Sequence, residues 1–501
     1  MLFNSFQFAG FFALVFALYL VAGRQRHAHG QPDPTWQNRV LLAAGYWFYG
    51  VWDWRFLGLL ILSTCMDYAV GRMIGSAEGR ARKAWIGVSI GVNLALLGFF
   101  KYFNFFAESL AQLLAAAGLE VSLPTLQVVL PVGISFYTFQ ALSYTINVYR
   151  RVMPPAKNLI DFALYVSFFP QLVAGPIEKS HQLLPQMQRA RTVSWQGVWA
   201  GSYLVFWGLF KKVFVADNLA PMVESIFRGP TEPSGFSLLI GAYAFTWQIY
   251  ADFSGYSDIA KGLAQMMGFT LMTNFDSPLL ARNLIDHWHR WHISLSTWFR
   301  DYLYIPLGGS RVSQGRRALN LLITFVVSGL WHGAASKYVA WGAVHGLAQV
   351  GLTLGKAPID RMLGWLPAKL RHLLGVFLTF QLVALAFALW QSDGFVHWLQ
   401  LIGQFARDPR PHPGDWGQVG KLLGFIAIPL TYELIQQGSR EPARADQDPQ
   451  QEGPQAQKPR RDPWMPLRWP LLPRVALYVL LLACMVRLGM FEGGTFIYFQ
   501  F

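Results

Sequence analysis

Two histidines in apolar surroundings are the residues of this chain most able to carry chemistry. His292 lies in Arg-Trp-His-Ile-Ser and His332 in Leu-Trp-His-Gly. Ionisable side chains in segments apolar enough for lipid are costly, so each indicates a functional site. Small residues follow His332, which would let a substrate approach an imidazole able to transfer protons near neutral pH. We predict a membrane enzyme, with a core histidine bonded to a carbonyl as the structural alternative for His332.

The segment around His292 contains two further histidines, His287 and His289. His289 and His292 could share a helical face, but His287 and His289 could not, and no Cys or Glu completes a tetrahedral set. We therefore predict no metal site here. The structural alternative is a helix anchored at the membrane interface by its aromatic residues. His345, thirteen residues after His332, is predicted to be structural.

A polar run, Tyr-Ala-Asp-Phe-Ser-Gly-Tyr-Ser-Asp from position 250, interrupts otherwise apolar sequence. Asp252 and Tyr256 are four residues apart and would share one face of a helix. Buried polar groups need partners or water, so Tyr250, Asp252 and Tyr256, together with Trp331, are predicted to line a cavity. Hydrogen bonding between helices explains the same run equally well.

The composition places these residues in a membrane protein. The chain is 53% hydrophobic and 14% charged, about half the charged fraction of a typical soluble domain. The apolar residues come in blocks of a length suited to a bilayer. The fold class is therefore predicted to be all-α and polytopic, with one domain over residues 1–501. The blocks are Phe6–Ala22, Phe56–Met73, Ala84–Phe106, Val198–Val215, Leu319–Leu330, Leu373–Trp390 and Pro473–Met490; Leu41–Val51 and Leu159–Pro176 suit re-entrant pieces.

The net charge of +14 would suit a nucleic-acid partner in a soluble protein, but here it is better explained by the membrane. Basic residues collect in six connections, at 24–26, 80–83, 150–157, 189–191, 311–317 and 440–461. The positive-inside rule makes these connections cytoplasmic, with the N-terminus and C-terminus outside. Residues 436–463, rich in Gln, Pro, Arg and Asp, are predicted to form a disordered cytoplasmic loop.

Several segments resemble the membrane-bound O-acyltransferase (MBOAT) family, in particular the branch that O-acetylates alginate. The resemblance covers nearly the whole chain, including its C-terminal Phe-Ile-Tyr-Phe-Gln-Phe. It departs at His287 and His289, where relatives usually carry an aromatic residue and an arginine, so no catalytic role is carried onto them. It departs also at Lys337, where an apolar or aromatic residue is common, and this lysine could alter the outer mouth of the substrate funnel. The other matching segments are Val132–Gln140, Phe168–Ile177, Trp207–Lys212, Asp252–Asp258, Arg290–Gly309 and Ser328–Gly333.

The resemblance implies a fold of about 11 or more membrane helices, with re-entrant and interfacial helices and a funnel from each face. His332 matches the catalytic histidine of the family and His292 its second characteristic histidine. Cytoplasmic acetyl-CoA would be the donor, with no permanently bound cofactor. Lys211 and Lys212 could attract the coenzyme A phosphates if their segment bends back toward the cytoplasm.

The acceptor implied by the resemblance lies outside the bacterial inner membrane. It is either a polysaccharide hydroxyl or a periplasmic partner acetyltransferase that passes acetyl onward. Alginate is the first choice of polysaccharide, and cellulose or another exopolysaccharide the second. A transporter or flippase of an acyl carrier or glycan precursor suits buried histidines and broken spans as well. The third class is a non-catalytic scaffold of a secretion complex, which would tolerate substitution of both histidines.

Overall fold

The structure of this 501-residue protein is a computed structural model. Its regular elements are helices. The structure describes residues 1–24, 33–121, 123, 125–126, 129–173, 175–230, 232–438, 470–491 and 496–497. Throughout these ranges no β-strand occurs, which confirms the predicted all-α class. Of the loop predicted over 436–463, residues 436–438 end a helix and the remainder lies outside the described residues.

The helices follow one another in a single continuous series. Three π-helical segments, Gly98–Tyr102, Phe210–Ala216 and Arg300–Tyr304, interrupt or extend them. The α-helices are α1 (Phe6–Ala22), α2 (Thr35–Gly50), α3 (Trp54–Ser76), α4 (Gly79–Leu97), α5 (Phe103–Ala116), α6 (Ile134–Tyr149), α7 (Leu159–Ser167), α8 (Phe169–Leu172), α9 (Ser180–Met187), α10 (Trp195–Leu209), α11 (Asp217–Arg228), α12 (Gly235–Met266), α13 (Leu284–Trp288), α14 (Ile293–Phe299), α15 (Gln314–His332), α16 (Ser336–Met362), α17 (Ala368–Gln391), α18 (Phe395–Arg407), α19 (Asp415–Gly438) and α20 (Leu471–Leu488).

Several helices are long and apolar enough to cross a bilayer, as expected for a multi-pass membrane protein. The short helices α7 and α8 break the segment predicted to be re-entrant, and all their residues except Leu159 and Ile160 are buried. Burial by protein is what non-spanning backbone at membrane depth requires. Within the described ranges the six candidate spans are Trp54–Ser76, Gly79–Ala116, Trp195–Arg228, Ala368–Gln391, Asp415–Gln437 and Leu471–Leu488.

The central element of the bundle is α12, whose 32 residues are buried along most of its length. Glycines allow α10 to approach it closely. A Cβ atom added at Gly208 would lie 2.5 Å from the carbonyl oxygen of Gly255, and one added at Gly201 would lie 2.4 Å from that of Gly262. Small residues at such spacing are the usual means by which membrane helices bring their backbones together. The polar run of 250–258 is thereby fixed against α10.

The hairpin of α15 and α16 carries His332 at its turn. The two helices are again in close contact through glycine, because a Cβ atom at Gly342 would lie 2.3 Å from the carbonyl oxygen of Phe325. After His332 the chain turns through an extended Gly333 into α16. The C-terminal part of α17 packs beside this turn, so three helices enclose the imidazole.

Candidate active site

The ring of His332 lies at the C-terminal end of α15 inside a cage of tryptophans. Its centroid is 5.0 Å from that of Trp331, 5.1 Å from that of Trp341 in α16 and 5.1 Å from that of Trp390 in α17. The histidine is 4% exposed. The three tryptophan rings come from three different helices and surround the imidazole. Their packing therefore restricts its orientation.

His292 occupies a strained turn just before α14. Its backbone has φ 42° and ψ 54°, in the left-handed region that non-glycine residues rarely adopt. Asn274 holds this turn: its carbonyl oxygen accepts from the Ile293 N–H at 2.9 Å, and its side-chain oxygen accepts from the Ser294 hydroxyl at 2.9 Å and the Ser294 N–H at 3.2 Å. Strain of about 1–3 kcal/mol at a residue held this firmly is characteristic of functional sites.

The two predicted histidines come together, although 40 positions separate them in the chain. Their ring centroids are 6.5 Å apart. Trp331, predicted as a cavity wall, lies beside both rings, 5.9 Å from His292 and 5.0 Å from His332. Phe253 of α12 packs against His292 at 4.6 Å. One bound molecule between the helices could therefore reach both imidazoles.

Access to the pair differs from the open funnels that the resemblance implies. His292 is fully buried and His332 nearly so. A cleft does lie between α15 and α16, but it is at the other end of α15, lined by residues that include Gln314, Arg317 and Thr353. In this conformation the walls made by the described residues close over both rings, so reactants reach them only after side chains or helices shift.

The polar run on α12 is anchored by a buried ion network. Lys212 lies between Asp217 and Asp252, with nitrogen–oxygen distances of 2.7 and 2.9 Å. The other oxygen of Asp252 accepts from the backbone N–H of Ile497 at 2.7 Å, so the network also holds the C-terminal segment. Two carboxylates around one ammonium offset much of the cost of burying the charges. These contacts are of the kind that the structural interpretation of Asp252 expects, and its assignment to a cavity stays a prediction.

The remaining residues of the run are also engaged by side chains. Tyr250 donates to Glu433 of α19, and the ring of Tyr256 lies 4.3 Å from that of Phe496. Lys211 contacts Asp258 at 2.7 Å and the Ser254 hydroxyl at 2.9 Å. Lys211 and Lys212 are therefore buried inside the bundle and paired with carboxylates. Their segment is one continuous helical run from Trp195 to Arg228 and does not bend back toward the cytoplasm, so the condition set for binding coenzyme A phosphates is not met in this conformation and the assignment stays a prediction.

The other histidines lie apart from a metal-binding geometry. The Nδ1 atom of His287 is 3.0 Å from the Pro278 carbonyl oxygen, and His289 is exposed. His345 packs its ring 4.6 Å from Trp341 and 5.2 Å from Trp288, behind the cage of His332. No cluster of three metal-ligating side chains occurs among the residues that the structure describes.

Two residues near the pair were missed by the sequence analysis. Asn274 holds the His292 turn, and Lys101 places its ammonium 2.7 Å from the carbonyl oxygen of Trp331. Lys101 lies within the apolar block Ala84–Phe106, so the rule that singled out the histidines would also have found it. Asn274 had no comparable signal, because its partners are 19 and 20 positions away and polar residues at a chain break are common.

A buried carboxyl group supports the loop that leads to Asn274. Glu178, in the connection between α8 and α9, accepts from the backbone N–H of Met272 at 2.6 Å. Burial raises the pKa of Glu178 to about 7, although the Met272 bond and Lys179 lower it in part. Its neighbour Lys179 forms a 2.5 Å ion pair with Asp301, just beyond α14. This connection therefore braces both flanks of the His292 turn.

The amino-acid sequence of this chain is similar to those of known proteins. The model of the membrane-bound O-acyltransferase family matches residues 48–354, which include both histidines. The chain is 36% identical to a probable alginate O-acetylase of Pseudomonas aeruginosa over the full length of both proteins. It is 43% identical to that of Pseudomonas putida over 69% of this chain and 70% of the relative. A peptidoglycan O-acetyltransferase of Helicobacter pylori is 34% identical over 63% of this chain and 64% of the relative.

Fold and site together define a multi-pass helical membrane enzyme built around a buried histidine pair. The chain belongs to the membrane-bound O-acyltransferase family, and it is an acyltransferase. The predictions of enzyme class, family and membrane fold are confirmed. The roles of individual site residues stay predictions.

Proposed function

We propose that this protein takes an acetyl group from cytoplasmic acetyl-CoA and delivers it across the inner membrane for the O-acetylation of an exported polysaccharide, with alginate as the first candidate. The observation that carries the proposal is the meeting of His292 and His332, 6.5 Å apart, at the end of α15. Support for the acceptor class comes from the relatives, which are named for alginate and peptidoglycan.

Acyl transfer assigns a different task to each histidine. His332 acts as the general base that accepts the proton of the acceptor hydroxyl. The oxygen then attacks the thioester carbonyl, the carbon–sulfur bond breaks, and the leaving thiolate takes up the proton from the His332 imidazolium. His292 donates a hydrogen bond to the carbonyl oxygen as negative charge develops there. Exclusion of bulk water by the aromatic cage prevents hydrolysis of the thioester.

Binding of the donor involves Lys211 more readily than Lys212. The Asp258 partner of Lys211 has 27% of its side chain exposed, whereas both partners of Lys212 are buried. A coenzyme A phosphate could therefore replace Asp258 at Lys211 without breaking the central ion network. The KM for acetyl-CoA of a Lys211→Met variant, compared with wild type, tests this assignment.

The acceptor side follows the charge distribution of the chain. If the basic connections are cytoplasmic, the cleft at Gln314 and Arg317 opens inward and the His332 end of α15 lies toward the periplasm. The hydroxyl that receives acetyl then belongs to the polysaccharide itself or to a periplasmic partner acetyltransferase. Cellulose or another exopolysaccharide is the alternative glycan.

Release of free coenzyme A by the purified protein in detergent tests the chemistry. Acetyl-CoA labelled in the acetyl group is supplied with alginate oligosaccharide, with cellulose oligosaccharide or without acceptor. Wild type should release coenzyme A and transfer label, and His332→Ala should lower the rate by about 10²–10⁴-fold. His289→Ala is the matched control, because His289 is an exposed histidine three positions from His292.

The outcomes separate the classes of function. Transfer that survives His332→Ala in a folded protein would overturn the proposed mechanism. Movement of an intact acyl carrier or glycan into vesicles without coenzyme A release would indicate a transporter, and indifference to both His292→Ala and His332→Ala would indicate a scaffold. Transfer to protein but not to glycan would indicate a relay through the periplasmic partner.

A further inference from the structure

The last carbonyl groups of α15 receive donors from a distant helix. A helix end leaves its final carbonyls without intrahelical partners, and in a membrane protein water cannot easily supply them. Lys101, in the π-helical segment between α4 and α5, places its ammonium 2.7 Å from the Trp331 carbonyl oxygen and 3.4 Å from that of His332. The neighbouring Tyr102 hydroxyl donates to the Leu330 carbonyl at 3.0 Å.

The end of α17 is capped in the same way. Lys337, in the first turn of α16, places its ammonium 2.8 Å from the Trp390 carbonyl oxygen and 3.2 Å from that of Ser392. Lys337 is one of the positions where this chain departs from the family pattern, and these two carbonyl groups are its partners. A cation at a helix C-terminus also interacts favourably with the helix dipole.

Both capped ends carry walls of the His332 cage. The residues whose carbonyls face the ammonium groups, Trp331 and Trp390, are the ones whose rings lie 5.0 and 5.1 Å from His332. A shift of either helix end would therefore move the imidazole relative to its walls. Lys101 additionally reaches the backbone of His332 itself.

We infer that Lys101 and Lys337 are positioning residues that fix the His332 imidazole by capping the C-termini of α15 and α17. The inference rests on the proposed function and deepens it. Because neither ammonium is assigned a contact with donor or acceptor, their loss should slow the chemical step without weakening donor binding. Displacement of a catalytic group by about 1 Å lowers rates by about 100-fold.

The test measures kcat and KM for acetyl-CoA in purified Lys101→Met and Lys337→Met. Each should lower kcat by about 10–100-fold while KM stays within about twofold. Lys101→Arg and Lys337→Arg keep a cation and its donors and should recover most of the lost kcat. Lys83→Met is the matched control: Lys83 is an exposed lysine at the start of α4, the helix that leads to Lys101. Monodispersity and thermal unfolding establish that each variant is folded.

The inference would be overturned if Lys101→Met and Lys337→Met both fold and both keep kcat within about twofold of wild type. It would also be overturned if the two variants raise KM for acetyl-CoA and leave kcat unchanged. If Lys101→Met does not fold, Lys337→Met, whose side chain is only partly buried, decides by the same two constants. His332→Ala in the same assay keeps the two claims separate. If wild type is active, His332→Ala is inactive and the lysine variants keep the wild-type kcat, only the inference about the lysines is contradicted. If wild type itself transfers no acetyl group, the proposed function and the inference are both contradicted.

Discussion

Two buried polar regions both contact α12 and are stabilised by different means. Around Lys212 the ammonium is paired with two carboxylates, at distances of 2.7 and 2.9 Å, and one of these carboxylates also accepts from the Ile497 N–H. Around His332 and His292 the neighbours are aromatic rings, and the hydrogen bonds that shape the site go largely to the backbone, at Asn274, Lys101 and Lys337.

The difference separates a structural polar region from the region proposed to react. An ion network offsets the cost of burial but leaves its groups engaged with each other. The two imidazoles are instead enclosed by aromatic rings, and the bonds that position them are made to the backbone. Mutation of the first region should therefore lower stability, and mutation of the second should lower turnover.

The largest expected effect on stability is that of Asp252→Ala. The change leaves a buried ammonium with one carboxylate and removes the acceptor of the Ile497 N–H, so the free energy of unfolding should fall by about 3 kcal/mol. Thermal unfolding in detergent measures it. Asp393→Ala, which removes the exposed partner of the partly exposed His397, is the control and should leave the unfolding temperature close to that of wild type. Equal losses in the two variants would contradict the comparison.

Turnover should fall about tenfold or more in Asn274→Ala. The substitution removes the oxygen that accepts from Ser294 and loosens the turn that presents His292, so misplacement of the imidazole slows transfer. The kcat for coenzyme A release measures it. Thr273→Ala, at the adjacent exposed position, should keep the wild-type kcat. If the two variants are equally active, Asn274 does not position His292.

Much of this organisation was accessible from sequence, but its contacts were not. Helical class, family and the two histidines follow from hydropathy and local motifs. The capping of α15 by Lys101 joins residues about 230 positions apart, and no periodicity encodes such a pair. The polar run at 250–258 had two interpretations, and only the placement of Lys212 and Ile497 beside Asp252 favoured the structural one.

The strained turn predicts an inverted order of stability at His292. Both His292→Gly and His292→Ala remove the imidazole, but the backbone has φ 42°, where glycine is tolerated and alanine is not. The glycine variant should therefore be more stable by about 1 kcal/mol. At His289, whose φ is −77°, alanine should be the more stable of the same two replacements. The same order at both positions would show that the turn is relaxed.

Stability should also depend on pH through Glu178. Because burial raises the pKa of Glu178 to about 7 from an unfolded value near 4.3, the folded protein keeps a proton that the unfolded chain loses between these values. This contribution to stability is present at low pH and is lost as the pH rises toward 7. Relative to wild type, Glu178→Gln should thus become more stable between pH 5 and pH 8. Thermal unfolding at four pH values measures the trend, and a constant difference would contradict it.

The central claim, that the buried histidine pair transfers acetyl across the membrane, is tested most directly in sealed proteoliposomes. The protein is oriented with its basic connections facing the vesicle interior, which contains labelled acetyl-CoA. The acceptor glycan, alone or with its periplasmic transferase, is added outside. Wild type should place label on the external acceptor, and His332→Ala should reduce it by about 100-fold or more. Equal labelling by the two proteins would contradict the account.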